Sequence, residues 1–225
     1  MLSLKANDAH AGTEEMAKRV SDALKADKKV LWLLCGGSNI PVAVKAMDSV
    51  KKAVDKVFWA NLTVAQTDER YGAVGHKDSN WQQMKDAGLD LLGVIALPMI
   101  IGKSLDATVV EYTDKMRKAF SDTLDHGGLV VGLFGIGADG HIAGILPGSP
   151  AVSDAKLVRG YRADPFTRMT LTPAALKKVS VAYAFAFGEA KKAALEKLEK
   201  GTLPFNEEPA QILKEIPEAF LYSDF

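Results

Sequence analysis

A single cysteine, Cys35, is the entire thiol complement of this 225-residue chain. That excludes an intrachain disulfide and a cysteine-rich metal site, and it fits a reducing compartment. Neither sign of charge is in excess, since 28 Lys and Arg stand against 28 Asp and Glu. The clustered basic footprint that neutralises nucleic-acid phosphates is missing, so nucleic acid is not an expected partner. Long apolar runs are missing as well: the longest, Leu89 to Ile101, contains Asp90 and Pro98 and is shorter than the ~20 residues a bilayer crossing takes, so no membrane partner is expected either. The amino terminus, MLSLKANDAH, has no basic segment followed by an apolar core; it does not read as a secretory signal, and a cytoplasmic location is expected. Histidine is sparse, with four in all and none in HExxH or a comparable spacing, so no metal is expected. A nucleotide P-loop, a GxGxxG fingerprint and a G-x-S-x-G elbow are all absent.

What remains is an ordinary globular composition, 48% hydrophobic and 25% charged, with no fixed-period repeat, low-complexity tract or strong linker to divide it. One domain over 1–225 is expected. From Lys29 the chain reads KKVLWLLCGGSN, an apolar run ending in paired glycines, the pattern of a strand buried on both faces that stops at a loop. Pro41 suits a first helical position, and Val42, Ala46 and Val50 then recur at fourfold spacing. A second copy of this grammar begins at Leu129 to Phe134 and continues into the glycine loop from Gly135 to Gly140. Between the two lie a predicted strand at Leu62 to Gln66, a loop at Thr67 to Lys77, a helix capped by Asp78 or Ser79, and a long amphipathic helix over Ser104 to Leu124. The last third adds an extended Arg168 to Leu171, a Thr172-Pro173 cap and first turn, a strand within Ser180 to Phe187, and a helix opened by Gly188 with Ala190, Ala194, Leu195 and Leu198 on one side. A short helix and a terminal strand close the chain. Strands alternating with helices predict an α/β class: a three-layer α/β/α, Rossmann-like domain with a mostly parallel sheet, whose ligands sit at the strand carboxyl ends.

Three segments carry candidate chemistry. Gly36, Gly37, Ser38 and Asn39 lie between a buried strand and a helix start, where backbone N–H groups and the helix terminus hold a phosphate without many cations; the same turn also serves as a plain strand-to-helix connection. Cys35 ends the strand and reads as a small core residue rather than a nucleophile. Thr67-Asp68-Glu69-Arg70 places two carboxylates beside a guanidinium, a set able to orient sugar hydroxyls and an anion, or else to pair locally in solvent. His76 reads as a surface loop residue. The most informative segment is GIGADGHIAGILPGSP from Gly135 to Pro150. Its His141 is suited to taking a proton from water, Asp139 to orienting that imidazole, and Gly137 to letting both approach a substrate.

The ordered set GGSN…P, TDER…DSN, GIGADGHIAGILPGSP, TRMTLT and FGEAKKAAL, from about Leu31 to Leu195, resembles the 6-phosphogluconolactonase family, within the wider group that includes glucosamine-6-phosphate deaminases. The resemblance implies hydrolysis of 6-phosphoglucono-δ-lactone to 6-phosphogluconate in the oxidative pentose phosphate pathway, without metal or organic cofactor. It implies that His141 activates water beside Asp139, that Gly36, Gly37 and Ser38 form a phosphate loop, and that Arg70, Arg168 and Lys191 are cationic contacts to a sugar-phosphate substrate. It leaves a monomer or small homo-oligomer. The chain departs from the family pattern at Asn39 and Ile40, where GGSTP is usual, at Cys35 in place of serine, at Ile142 in place of threonine, and at Gly144-Ile145-Leu146 in place of serine-leucine-phenylalanine. The rival readings are an amino-sugar-phosphate isomerase and deaminase, which needs a further acid or base where Gly144 to Pro147 offers none, and a sugar-phosphate sensor that has lost turnover.

Overall fold

Val30 to Leu34 are five consecutive residues that are all buried, and they alternate between two cores: Leu31 and Leu33 face one side of the sheet, Val30, Trp32 and Leu34 the other. A strand with period-2 side chains and helices on both faces buries both sets, so the run is continuous rather than alternating. The computed structural model describes residues 1–225 with the exception of Thr202. Its strands are β1 (Leu2–Lys5), β2 (Val30–Leu34), β3 (Leu62–Gln66), β4 (Asp68–Arg70), β5 (Ile95–Leu97), β6 (Leu129–Gly135), β7 (Val158–Ala163), β8 (Phe166–Leu171), β9 (Val181–Ala186) and β10 (Glu218–Ser223). The helices are α1 (His10–Lys25), α2 (Ile40–Ala53), α3 (Asn80–Asp86), α4 (Leu105–Leu124), α5 (Pro173–Leu176) and α6 (Lys192–Lys200), joined by short 3-10 turns at Gly37–Asn39, Lys56–Asn61, Glu189–Lys191 and Pro209–Glu215.

Seven strands form one wholly parallel sheet in the order β1-β10-β9-β6-β2-β3-β5. Helices α1, α2 and α3 cover one face through Met16, Val20, Ala43, Met47 and Met84, and α4, α5 and α6 cover the other through Tyr112, Met116, Leu176 and Leu195. This is the predicted three-layer α/β/α architecture. Chain progress runs from β2 outward to β3 in one direction, while β6 adds on the other side of β2. The crevice beyond the carboxyl ends of β2 and β6 is therefore the topological switch point, where ligands of open parallel sheets bind. Both glycine loops leave the sheet there. Among the described residues no helix is long and apolar enough to cross a membrane.

Several elements differ from expectation. The stretch Thr67 to Lys77 is not all loop: Asp68–Arg70 is β4, which pairs antiparallel with β8, and β8 pairs with β7 to make a second, three-stranded sheet. The second strand and glycine loop do not lead into a helix; after Gly140 the chain turns back on itself through bridges of Ile142 with Ile136 and Ile145. Ser79, not Asp78, caps α3, its Oγ accepting from the Gln82 N–H at 3.1 Å. Pro173 starts α5, but the Thr172 hydroxyl donates to the Lys156 carbonyl instead of capping. Ala190 lies exposed while Ala194, Leu195 and Leu198 are buried, because the α-helix begins only at Lys192. Leu124, at the last position of α4, is likewise exposed.

β5 is too short to pair with the end of β3, and a side chain takes over. The Tyr112 hydroxyl on α4 donates to the Gln66 carbonyl at 2.9 Å and accepts from the Gln66 N–H at 3.0 Å. It thereby satisfies both main-chain groups where β3 turns into β4. Tyr112→Phe leaves a buried N–H and C=O unpaired and is expected to cost ~1–3 kcal/mol, read as a lower midpoint in urea with an unchanged slope.

Candidate active site

The first wall of the switch-point crevice is the turn Gly36 to Asn39 at the start of α2. Pro41 lies in the first turn of α2, where its missing N–H costs nothing, and the Ile40 N–H donates to the Gly37 carbonyl, which closes the 3-10 turn Gly37–Asn39 onto the helix start. Asn39 is buried, and its Nδ2 donates to the Phe134 carbonyl at 2.9 Å. This bond ties the turn after β2 to the end of β6. Cys35 is buried beside it at the wall of the crevice, and burial pushes its thiol up to about 12, which keeps it a thiol rather than a thiolate.

The second wall depends on a carboxylate that never meets the cavity. Glu69 is fully buried. Its Oε1 accepts from the main-chain N–H of Arg70 at 2.7 Å and of Asn80 at 2.6 Å; its Oε2 accepts from Gln66 Nε2 at 2.8 Å, Ser79 Oγ at 2.9 Å and the Trp81 N–H at 3.0 Å. Two of those donors are leading N–H groups of α3, so Glu69 closes the helix start from outside the helix. The expectation that Glu69 touches substrate is corrected by this geometry: its lone pairs are committed to the fold. Asp68 and Arg70, its neighbours on β4, alternate to the opposite face and do line the cavity. Asn80 donates from Nδ2 to the Asp68 carbonyl at 3.1 Å, and its side chain lies so close over Gly36 that a Cβ there would sit 1.9 Å from Asn80 Oδ1. The ring of His76, expected at the surface, is partly buried against the Arg70 carbonyl, 2.8 Å from Nε2.

The third wall is the loop after β6. His141 Nδ1 lies 2.6 Å from Asp139 Oδ1, and the His141 N–H donates to the same oxygen at 3.2 Å. A carboxylate accepts, so Nδ1 carries a proton, and in the neutral tautomer this leaves the lone pair on Nε2. That hydrogen bond, ahead of the electrostatic attraction of the imidazole, holds the Asp139 carboxyl down at about 2. A Cβ on Gly137 would lie 1.9 Å from His141 Nδ1 and 2.5 Å from Asp139 Oδ1, so only glycine lets the pair form. The far side of the loop is held by the small sheet. Tyr161 OH donates to the Gly144 carbonyl at 2.5 Å, and the Thr170 hydroxyl donates to the Ala143 carbonyl. Ala143 is thereby held at φ +51°, a left-handed conformation rare outside glycine.

The walls enclose an open cavity of about 230 Å³. It is lined by Gly36, Gly37, Ser38, Asn39, Asp68, Arg70, His141, Arg168 and Lys191, so nine of the twelve residues singled out from the sequence meet there. Of the other three, Asp139 and Gly137 stand behind His141, and Glu69 stands behind β4. Asn80, Ala143 and Gly144 also line the cavity and were not anticipated as lining residues. Asn80 had a visible signal, being the third residue of the DSN helix start; the supports Tyr161 and Thr170 had none. Three cationic side chains face one carboxylate, Asp68, along this lining. The lining is therefore net cationic and also carries the imidazole of His141.

A sequence profile described as glucosamine-6-phosphate isomerases/6-phosphogluconolactonase matches residues 5–220. The 6-phosphogluconolactonase of Pseudomonas aeruginosa is 28% identical over 202 residues, which are 84% of this chain and 80% of that protein. The 6-phosphogluconolactonase of Rattus norvegicus is 25% identical over 195 residues, 81% of this chain and 74% of that protein. The crystal structure of 6-phosphogluconolactonase from Thermotoga maritima superposes with a TM-score of 0.79 at 20% identity, covering 99% of this chain and 97% of the other. At that identity the likeness carries the fold.

Two outcomes test this geometry. Glu69→Gln turns one acceptor oxygen into a donor facing donors; it is expected to destabilise the protein by ~3 kcal/mol or more in chemical denaturation. Because the folded Asp139 carboxyl lies at about 2, below its ordinary 3.8, the stabilising contribution of its pairing is complete above about pH 3.8 and is lost as pH falls through about 2. In His141→Ala the Asp139 carboxyl is expected to titrate back toward 3.8, followed by carbon-detected NMR.

Proposed function

The chain belongs to the glucosamine-6-phosphate isomerase/6-phosphogluconolactonase family, and within it we propose that this protein hydrolyses 6-phosphoglucono-δ-lactone to 6-phosphogluconate with His141 as general base. One observation carries the reading: the imidazole of His141 opens onto the same cavity as the Gly36 to Asn39 turn and the cations Arg70, Arg168 and Lys191. The phosphate dianion is taken by those cations and by main-chain N–H groups of the Gly36 to Ser38 turn. Anchoring the remote phosphate presents the ring ester to the base. Nε2 of His141 removes a proton from water as the oxygen attacks the lactone carbonyl, and Asp139 stabilises the imidazolium that forms. Collapse of the tetrahedral adduct breaks the ring C–O bond, and the proton returns from the imidazolium to the departing hydroxyl. A δ-lactone is an activated ester, so the ~10²- to 10⁴-fold that a positioned base supplies is a sufficient demand on one histidine.

The isomerase and deaminase branch of the family needs a further acid or base to move a proton between adjacent carbons. Among the described residues Asp68 is the sole carboxylate lining the cavity, and its oxygens accept from Thr67 Oγ1 at 3.0 Å and Asn80 Nδ2 at 3.4 Å. Glu208, in the Asn206-Glu207-Glu208-Pro209 stretch, is buried beneath Gly140 with Gln211, outside the cavity. The lining thus supports lactone opening over isomerisation. His141→Ala is expected to lower kcat ~10²- to 10⁴-fold with KM changed little, measured by stopped flow on freshly generated lactone against the spontaneous rate. Full turnover in a folded His141→Ala variant, or ammonia release from glucosamine 6-phosphate by the wild type, would overturn the assignment.

A further inference from the structure

Arg70 and Arg168 are direct cross-strand partners in the β4–β8 pairing. Like charges placed opposite one another on adjacent strands repel and are ordinarily separated or bridged by a carboxylate. Here there is no bridge. Among the described residues neither guanidinium forms a salt bridge, Arg70 makes one side-chain hydrogen bond, from Nη1 to the Asp78 carbonyl at 3.1 Å, and Arg168 makes none; the Nε of each is buried without a partner. What the two share is the ring of Phe166. The guanidinium carbon of Arg70 lies 5.5 Å from its centroid and that of Arg168 lies 5.8 Å from it. Phe166 precedes Arg168 by two residues on β8, which puts its side chain on the same face, and it is half-buried without lining the cavity.

We propose that Phe166 is a positioning residue that holds Arg70 and Arg168 together as one anion clamp and so sets the affinity of the site for the phosphate end of its substrate. The inference rests on the sugar-phosphate reading above and adds to it the element that presents the cations. The choice of an aromatic ring has a physical reason. A carboxylate between the two arginines would fix them but would also neutralise them and compete with the incoming dianion. A π face attracts each guanidinium through its quadrupole without adding negative charge. It leaves the in-plane N–H donors, the ones that match phosphate oxygens, unspent. Holding two long side chains in place before the ligand arrives also removes part of the ordering cost of binding. The ring acts on binding and not on the reacting carbonyl, which is the business of His141.

The test is calorimetric titration of 6-phosphogluconate into the full-length protein, paired with steady-state lactone hydrolysis. Phe166→Leu keeps apolar bulk and removes the π face; it is expected to weaken 6-phosphogluconate binding and raise KM by about five- to tenfold while kcat stays within twofold. Phe166→Trp, which restores a π face, is expected to recover most of that loss. In an Arg168→Leu background, Phe166→Leu is expected to cost less than half as much as it does alone, since one of its two partners is gone. Equal affinity of wild type and Phe166→Leu, an equal loss in Phe166→Leu and Phe166→Trp, or a parallel fall in kcat would overturn the clamp. If the wild type itself fails to bind 6-phosphogluconate, the sugar-phosphate reading is what falls.

Discussion

The site depends on one buried carboxylate. Glu69 collects five donors from three places: the end of β3, the backbone of β4, and the first turn of α3. A carboxylate taken out of water survives only if its lone pairs are met, and the requirement works in reverse as an organising force. Meeting it puts the start of α3 against β4, which carries Asn80 over Gly36 and turns Asp68 and Arg70 toward the crevice. The first and second walls of the cavity thus have their relative position set by a residue that neither wall exposes. Tyr112 and Gln66 extend the same network into the sheet, with Gln66 Oε1 accepting from the Met99 N–H at 2.9 Å.

Two sheets divide the labour. The parallel sheet supplies the loops, because its order reverses between β2 and β6 and leaves a crevice where two strand ends have no common crossover. The small antiparallel sheet supplies charge and support. One of its faces presents Asp68 and Arg70 from β4 and Arg168 from β8 to the cavity, and sends Tyr161 and Thr170 to the carbonyls that fix Ala143 and Gly144. His141 stands between the two. Its position is set from below by the Gly137 backbone, whose N–H donates to the His141 carbonyl at 2.8 Å, and from the side by Asp139. An imidazole fixed by both its main chain and its ring hydrogen bond has little freedom left to lose on ligand binding.

Much of this was legible in the linear pattern, and the reasons are local. The buried strands announce themselves as apolar runs, ended by glycine at β2, β6 and β9 and by a polar turn at β3, so all four fall where expected. Ser104 and Ser79 begin their helices with a side-chain cap, and Gly201 ends α6. Glycines that must be glycine leave the same kind of mark, as at Gly36 and Gly137. Other elements carry no such marks. β4 is three residues long and reads as a charged loop, and its existence is decided by pairing with β8, roughly a hundred residues away. β7 alternates only weakly, with arginines at positions 159 and 162 and a glycine at 160. The pattern of the first unit predicts a helix after the second glycine loop, but Gly144 at φ +71° and the Ile142–Ile145 bridge turn the chain back along the crevice instead.

The roles of the acidic residues show where the linear reading ends. Asp68, Glu69 and Asp139 are all carboxylates near motifs, and nothing in their order distinguishes one that faces a cavity from one sealed beneath it or one serving a neighbouring imidazole. By itself the sequence determined the three-layer class, the strand ends at which the loops emerge, and most of the residues that meet there, because hydrophobic period, capping and glycine turns are properties of neighbours in the chain. Only the tertiary structure decided which carboxylate is sealed in the fold and which lines the cavity, that two arginines on different strands stand side by side at one aromatic ring, and that Tyr161 and Thr170 hold the loop that carries His141. Those are consequences of long-range register and burial, and a desolvated charge finds its partners in space rather than along the chain.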